Sequence, residues 1–308
     1  MLRAYRQTRD VTDGRVSQTY PALATADPNW FGIALARNDG DLDEAGDSRR
    51  EFTLMSVSKP FTFALVCEQL GVRRVRELVG VNATGQPFNS LQAVDQADAG
   101  RTNPMVNAGA IATTSLVPGD SHAAKWQFLL DGFARFAGHR LALDEHILAS
   151  ASQTNFRNRS LAMLLADLGA IASDPLEAVD LYTRQCALSL SAADLAVMGA
   201  TLADGGVHPV TGERVVSPEV ARVTLAVMSI AGMYETSGEW LLDVGVPGKS
   251  GISGAIVAIA PGKGALAVYS PPLDQAGNSV RGQLVAKVLA EHLGLDVMAS
   301  APEVRTAR

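Results

Sequence analysis

Strand-forming segments lie at both ends of this 308-residue chain, and a long stretch with helical periodicity separates them. Near the C-terminus, the apolar segments 255–260 and 265–270 flank the turn-forming residues 261–264, a pattern that predicts a β-hairpin. Near the N-terminus, residues 31–36 form another apolar run, followed by an Asn-Asp-Gly turn signal. We therefore expect an α+β fold in which one sheet takes strands from both ends of the chain.

The middle of the chain changes from strand to helix periodicity. A second N-terminal strand is predicted near residues 50–54. From Ser58 the apolar residues follow helical spacing as far as Gly71, a residue type that commonly ends helices. We expect a single domain with an antiparallel sheet flanked by helices, an inserted helical subdomain over about 72–235, and a flexible tail over 299–308.

Composition argues against several functional classes. The net charge of −6 does not fit a nucleic-acid-binding face, and no run approaches the roughly 20 apolar residues of a membrane span. The five histidines lack metal-ligand spacing, so no metal site is predicted. Cys67 and Cys186 are too few for a disulfide framework, and residues 1–13 lack the apolar stretch of a signal peptide. We expect a cytoplasmic enzyme or binding protein without nucleic-acid or membrane partners.

Ser56 and Lys59 lie three positions apart near the start of the predicted helix, so both belong to one helix face. A serine hydroxyl becomes a good nucleophile when a base takes its proton, and a lysine can do this only when it is neutral. The alternative is that Ser56 caps the helix and Lys59 is a solvated charge. The apolar residues that follow Lys59 favour burial, which lowers the pKa of a lysine.

The segment Lys249-Ser250-Gly251 precedes the C-terminal hairpin. In serine β-lactamases and penicillin-binding proteins, a Lys-[Ser/Thr]-Gly strand accompanies a Ser-x-x-Lys motif. Lys249 is therefore a candidate for the cation that lowers the pKa of Lys59, and the backbone near Ile252 is a candidate donor to an oxyanion. A phosphate-binding loop is the rival interpretation, but it requires glycine at position 243, which is Asp243.

Together with these motifs, further segments follow in order the pattern of the serine-dependent bacterial glutaminases over about residues 15–294. The matching segments are 56–59, 101–111, 157–159, 181–186, 194–203, 232–234, 249–251 and 270–274. The resemblance implies a β-lactamase-like fold and assembly as a homodimer or homotetramer. It also implies hydrolysis of L-glutamine to L-glutamate and ammonia through an acyl-enzyme, with no cofactor.

The resemblance also implies roles for individual residues. Ser56 corresponds to the nucleophile, Lys59 to its base, and Lys249 to a further catalytic lysine, while Tyr182 is a candidate proton relay to the leaving ammonia. The backbone N–H groups of Ser56 and Ile252 correspond to the oxyanion hole. The implied substrate-binding positions are Ser56, Asn107, Ala151, Asn158, Tyr182, Tyr234 and Ile252.

Four departures from the family pattern surround the substrate position. Met55 stands where glutamine is usual, Ala151 where a substrate-binding glutamate is usual, and Ser253 where glycine is usual. The expected N-terminal tyrosine falls on Thr19, with Tyr20 one position later. Because an unpaired ammonium in a partly dry pocket costs a few kcal/mol, we expect weaker glutamine binding unless another acid substitutes.

Several functions remain compatible with these residues. The first is a glutaminase with a raised KM or with a carboxylate supplied from elsewhere, and the second is an amidase for another small amide whose α-amine is absent or blocked. A silent binding protein on this scaffold is a third, although a buried lysine pair is costly to keep without chemistry. A β-lactamase or esterase shares the Ser56–Lys59 pair but does not account for segments 101–111 and 157–159.

Overall fold

A computed structural model describes residues 1–300 of the chain. The strands of this part are β1 (Gly32–Arg37), β2 (Leu42–Gly46), β3 (Phe52–Thr53), β4 (Ala142–Leu143), β5 (Leu188–Leu190), β6 (Gly248–Gly251), β7 (Ala255–Ala260) and β8 (Gly264–Tyr269). Its helices are α1 (Leu2–Thr8), α2 (Lys59–Leu70), α3 (Val72–Val75), α4 (Leu91–Gln96), α5 (Asn107–Thr114), α6 (His122–Ala137), α7 (Glu145–Thr154), α8 (Phe156–Asp167), α9 (Pro175–Cys186), α10 (Ala192–Ala203), α11 (Pro218–Ala231), α12 (Ser237–Val244) and α13 (Val280–Leu293). Of the predicted tail, only Ala299 and Ser300 belong to the described residues.

The main sheet joins the two ends of the chain. Its five strands lie in the order β2-β1-β8-β7-β6, and every neighbouring pair is antiparallel. The N-terminal strand β1 pairs along its whole length with β8, from Gly32 opposite Tyr269 to Arg37 opposite Gly264. The predicted hairpin over 255–270 is β7 and β8. The expected sheet with strands from both ends is therefore confirmed.

The strand predicted near residues 50–54 is present as β3, but it is the third strand of the chain and lies outside the main sheet, while β2 was not predicted. After β1 the chain reverses at Gly40, whose φ of 92° lies in the left-handed region that glycine adopts readily, and residues 42–46 pair with β1 as β2. Residues 52–53 instead join a small three-stranded sheet in the order β3-β5-β4. Strand β2 has the sequence Leu-Asp-Glu-Ala-Gly, which is polar because one face of this edge strand is exposed. It therefore lacks the apolar run by which the other strands were predicted.

Helices cover both faces of the main sheet. On one face α10 packs directly on β1 and β8, where Gly199 allows close approach because a Cβ there would lie 2.6 Å from the Ala265 side chain. On the other face, α1, α12 and α13 enclose a second apolar cluster that includes Ile33, Trp240 and Leu289. No helix within residues 1–300 is long and apolar enough to cross a membrane.

Helices α3 to α11 fall within the predicted helical subdomain, about 72–235. Helix α10, although inside that range, packs on the main sheet, so a separate subdomain stays a prediction. Helix α10 begins at a capping box, in which Ser191 and Asp194 form reciprocal hydrogen bonds. The last helix, α13, begins after Ser279, whose side chain caps it by accepting the N–H of Gly282.

Candidate active site

The predicted nucleophile Ser56 lies in a 3₁₀ turn, Met55–Ser58, immediately before α2. Met55 has a φ of 46°, a strained value for a residue with a side chain. Two bonds hold the turn: Ser58 Oγ donates to the Met55 carbonyl at 2.7 Å, and Val57 N–H donates to the Leu54 carbonyl at 3.1 Å. The turn fixes the Ser56 side chain at the N-terminal end of α2, one residue after the strained position.

Lys59 begins α2 and is fully buried, with only 1% of its surface exposed. Its Nζ lies 3.1 Å from Ser56 Oγ. Burial lowers the pKa of Lys59 to about 7, because the ammonium loses its hydration. A large fraction of the side chain is then neutral near neutral pH, and its lone pair can accept the Ser56 O–H.

Two asparagines and a tyrosine hold the Lys59 amine in place. Lys59 Nζ donates to Asn107 Oδ1 at 2.8 Å, and the Tyr182 hydroxyl donates to the same oxygen at 3.3 Å. Asn107 Nδ2 in turn donates to Asn158 Oδ1 at 2.9 Å. The side chains of Lys59, Asn107, Asn158 and Tyr182 are all buried. Their hydrogen bonds bring together residues that lie up to 123 positions apart in the sequence.

Lys249 is buried beneath the same site. Its Nζ donates to the carbonyls of Gly232 and Ser250 at 2.9 and 2.6 Å and lies 4.2 Å from the ring centre of Tyr234. Burial and then the charge of Lys59 lower its pKa. For Lys59, burial is the cause that lowers the pKa, as the apolar residues after Lys59 indicated, and the role of Lys249 as the cation that lowers it stays a prediction. Since repulsion between two buried ammonium groups is mutual, the pair favours at most one positive charge.

Ser56 opens onto a cavity of about 80 Å³. Predicted site residues that line it are Ser56, Asn107, Asn158, Tyr182 and Ile252. A larger cavity of about 720 Å³ lies between residues 13–19 and 273–280, and Thr19, Phe88 and Ile252 line both. The two spaces therefore adjoin at these three residues.

Two predicted substrate-binding residues lie outside the lining of the smaller cavity. Ala151 is buried in α7, and Thr154, one turn further along, reaches the cavity instead. Tyr234 stacks on Phe88 with ring centres 4.7 Å apart, and its hydroxyl donates to the Ser250 carbonyl at 3.0 Å. Within residues 1–300, no group of three or more His, Cys, Asp or Glu side chains is placed to hold a metal ion.

Nine lining residues were not among the predicted site positions, and Tyr20, Arg157 and Phe88 are three of them. Tyr20 lies in the cavity wall, and burial raises its pKa, so its phenol stays protonated at neutral pH. Arg157 donates from Nε to the Asn89 carbonyl at 2.8 Å. The position of Arg157 in the Arg-Asn-Arg segment, which matches the family pattern, was the sequence feature that could have identified it as a site residue. Phe88 comes from the irregular segment between α3 and α4, where no periodicity marks it.

We expect Ser58→Ala to lower kcat about tenfold with little change in KM. Without the bond to the Met55 carbonyl the strained turn can relax and move Ser56. The free energy of unfolding should also fall by about 1–3 kcal/mol, because that buried carbonyl loses its donor. Steady-state kinetics and urea unfolding measure both effects. Ser115→Ala is the matched control, since it removes a buried 2.7 Å hydroxyl–carbonyl bond elsewhere. Equal kcat values for the two variants would contradict the positioning role of Ser58.

Comparison with known proteins identifies relatives over nearly the whole chain. The family model described as glutaminase matches residues 14–298. "Glutaminase 2" of Yersinia pestis is 55% identical over 97% of this chain and 88% of its own length. "Glutaminase" of Brucella canis is 47% identical over 92% of this chain and 89% of its own length.

Solved structures show the same similarity. The structure described as "Probable glutaminase ybaS" has a TM-score of 0.95 at 41% identity and covers 97% of this chain and 96% of its own. A probable glutaminase from Bacillus subtilis complexed with 6-diazo-5-oxo-L-norleucine has a TM-score of 0.84 at 32% identity, covering 92% and 90%. These likenesses confirm the β-lactamase-like α+β fold.

Proposed function

The chain belongs to the glutaminase family, and on that premise we propose that Ser56 attacks the side-chain amide of L-glutamine while Lys59 takes its proton. The family identity makes the protein a hydrolase of the amide C–N bond of L-glutamine, which yields L-glutamate and ammonia. One observation carries the proposed mechanism: Ser56 Oγ lies 3.1 Å from a buried lysine amine whose pKa is about 7.

The first half of the reaction forms an acyl-enzyme. Neutral Lys59 accepts the Ser56 proton as Oγ bonds to the amide carbon, and the carbonyl oxygen becomes negatively charged. Lys59 then returns the proton to the amide nitrogen, with Tyr182 as the relay, and the C–N bond breaks to release ammonia. Burial holds the pKa of Tyr182 well above its usual value, so its hydroxyl remains a donor throughout.

The backbone of Ser56 and Ile252 provides the donors for the negatively charged oxygen. Strand β6 runs beside the turn that carries Ser56: a Cβ on Gly251 would lie 3.4 Å from Ser56 N and 3.0 Å from the Leu54 carbonyl oxygen. The absence of a side chain at Gly251 therefore keeps the two backbones close enough for N–H groups from both to converge on one oxygen.

The second half of the reaction releases glutamate. Lys59, neutral again, accepts a proton from water as the water oxygen bonds to the acyl carbon. The ester bond to Ser56 breaks, Oγ regains the proton from Lys59, and L-glutamate leaves. Lys249 lies beneath the site of both steps, and because repulsion between the two buried amines is mutual, a proton on either one disfavours a proton on the other.

Two further assignments rest on the family resemblance. We propose that the protein assembles as a homodimer or homotetramer and that it acts in the cytoplasm.

The acyl-enzyme is the direct test of this mechanism. When the enzyme is mixed with glutamine and quenched in acid within one turnover, we expect one glutamyl group as an ester on the peptide that contains Ser56. Mass spectrometry of the digested protein measures it, and hydroxylamine treatment should remove it. Attachment to a different side chain, for example the thiol of Cys186, would reject Ser56 as the nucleophile.

The dependence of kcat/KM on pH should follow the neutral fraction of Lys59. Because the base acts without its proton and its pKa is about 7, activity should fall roughly tenfold per pH unit below that value and level off above it. Initial rates of ammonia release, taken where circular dichroism shows an intact fold, provide the profile. An inflection near the ordinary lysine pKa would contradict the assignment of Lys59 as the base.

A further inference from the structure

We propose that the active site also hydrolyses glutamine whose α-amine carries an acyl group, and that the acyl group occupies the larger adjoining cavity. The inference rests on the proposed function, since Ser56 is taken to attack the side-chain amide of this substrate as well. Three features of the site carry it: the hydrogen-bond state of its acceptors, the sign of its charges and the shape of the joined cavities.

Two buried amide oxygens that face the smaller cavity already have donors. Asn107 Oδ1 accepts from Lys59 and Tyr182, and Asn158 Oδ1 accepts from Asn107. A free α-ammonium brings three N–H groups and a full charge, and all three need acceptors in a partly dry cavity. Acceptors that are already engaged satisfy it poorly.

Two further acceptors of lining residues are engaged as well. Asn155 Oδ1 accepts from Arg159, and the Asn89 carbonyl accepts from Arg157 Nε. Among the lining residues within the described part of the chain, Arg157 carries the one formal charge, and it is positive. The buried Lys59 and Lys249, which favour at most one positive charge between them, lie close behind this lining, whereas Asp13, Arg15 and Asp274 line the larger cavity. At Ser56 the local field therefore favours an anion over a zwitterion.

Acylation changes the substrate in the direction that this site favours. It replaces the ammonium with a neutral amide that has one N–H, adds a carbonyl acceptor, and leaves the molecule with the single negative charge of its α-carboxylate. Arg157 uses its Nε for Asn89, and the Nη groups of its guanidinium fork provide donors for a carboxylate or carbonyl.

The adjoining cavity provides space for the acyl group. It is about 720 Å³, against about 80 Å³ for the cavity at Ser56, and the two share Thr19, Phe88 and Ile252. A substituent on the α-nitrogen can therefore pass Phe88 into the larger space. Its lining includes the small, partly buried side chain of Ala276.

The test compares L-glutamine with N-acetyl-L-glutamine as substrates. We expect kcat/KM for N-acetyl-L-glutamine to equal or exceed that for L-glutamine, with N-acetyl-L-glutamate and ammonia as the products identified by chromatography. A lower kcat/KM for the acetylated substrate overturns the inference. The Ser56→Ala variant tests the proposed mechanism separately from the substrate class. If this variant still hydrolyses either substrate, the mechanism fails. The ratio of kcat/KM for the two substrates in the wild-type enzyme decides the substrate class.

A second variant tests where the acyl group lies. Ala276→Trp fills part of the larger cavity without altering the lining of the smaller one. We expect kcat/KM for N-acetyl-L-glutamine to fall at least tenfold more than kcat/KM for L-glutamine, in a variant whose melting temperature shows an intact fold. Equal losses for both substrates overturn the placement of the acyl group.

Discussion

Ser56→Ala is expected to lower kcat for glutamine hydrolysis by about 10³-fold or more. The variant keeps the cavity and the Lys59–Asn107 bond but has no atom that can form the ester to the acyl group. Glutamate should still bind, because the side chains that line the cavity remain. A continuous assay of ammonia release and calorimetric titration with L-glutamate measure the two properties separately.

A matched serine controls for the loss of a hydroxyl. Ser229→Ala removes a hydroxyl that donates to the Leu225 carbonyl of its own helix, α11, away from the cavity. We expect its kcat to match the wild-type value. If Ser56→Ala retains more than about a tenth of the wild-type rate, another group is the nucleophile and the mechanism proposed for this family member is wrong.

Lys59→Met is expected to abolish activity and yet to stabilise the fold near neutral pH. In the unfolded chain the lysine has its ordinary pKa of 10.5, whereas in the folded protein the pKa is about 7. Between these two values the unfolded chain binds a proton that the folded protein has released. Wild-type stability therefore rises with pH across this window, and the full cost of burying the charge applies below it.

Methionine has a similar length and no charge, so it avoids that cost. We expect the free energy of unfolding to increase by roughly 2–4 kcal/mol near pH 7, after allowing for the lost bonds to Ser56 and Asn107, and the gain to shrink toward pH 10.5. Urea unfolding of both proteins at several pH values measures the difference.

The matched control for this prediction is Lys287→Met, which removes an exposed lysine paired with Asp243 on the surface. Its stability should stay within about 0.5 kcal/mol of the wild-type value, because exposed ion pairs contribute little. If Lys59→Met is less stable than wild type near pH 7, the lysine is stabilising in its buried position and the argument from desolvation fails.

The features that the sequence predicts well depend on neighbouring residues. The hairpin of β7 and β8 needs only two apolar segments and the turn at 261–264, and the start of α10 needs only Ser191 and Asp194. Strand β2 escaped prediction because its residues are polar. An edge strand with one exposed face carries little periodic signal, and its pairing depends on the turn that precedes it.

Fewer residues of the candidate site can be predicted from local sequence patterns. Ser56 and Lys59 lie within one turn, so their proximity is predictable from spacing. Asn107, Asn158 and Tyr182 reach the same network from three different helices, and only the family resemblance indicated them in advance. Tyr20 and Phe88 lie in irregular segments whose course depends on tertiary packing, so no periodic signal could reveal them.

The pairing of β1 with β8 has a consequence for synthesis on the ribosome. Arg37 and Gly264 are paired although most of the chain separates them, so β1 emerges long before its partner exists. Until β8 is made, the edge of β1 that pairs with it is unpaired and can associate with other chains, so we expect chaperones to bind this segment. Strand β6 beside Ser56 is also made late. A nascent chain therefore carries Ser56 and Lys59 without the assembled active site until strands β6 to β8 have also been made.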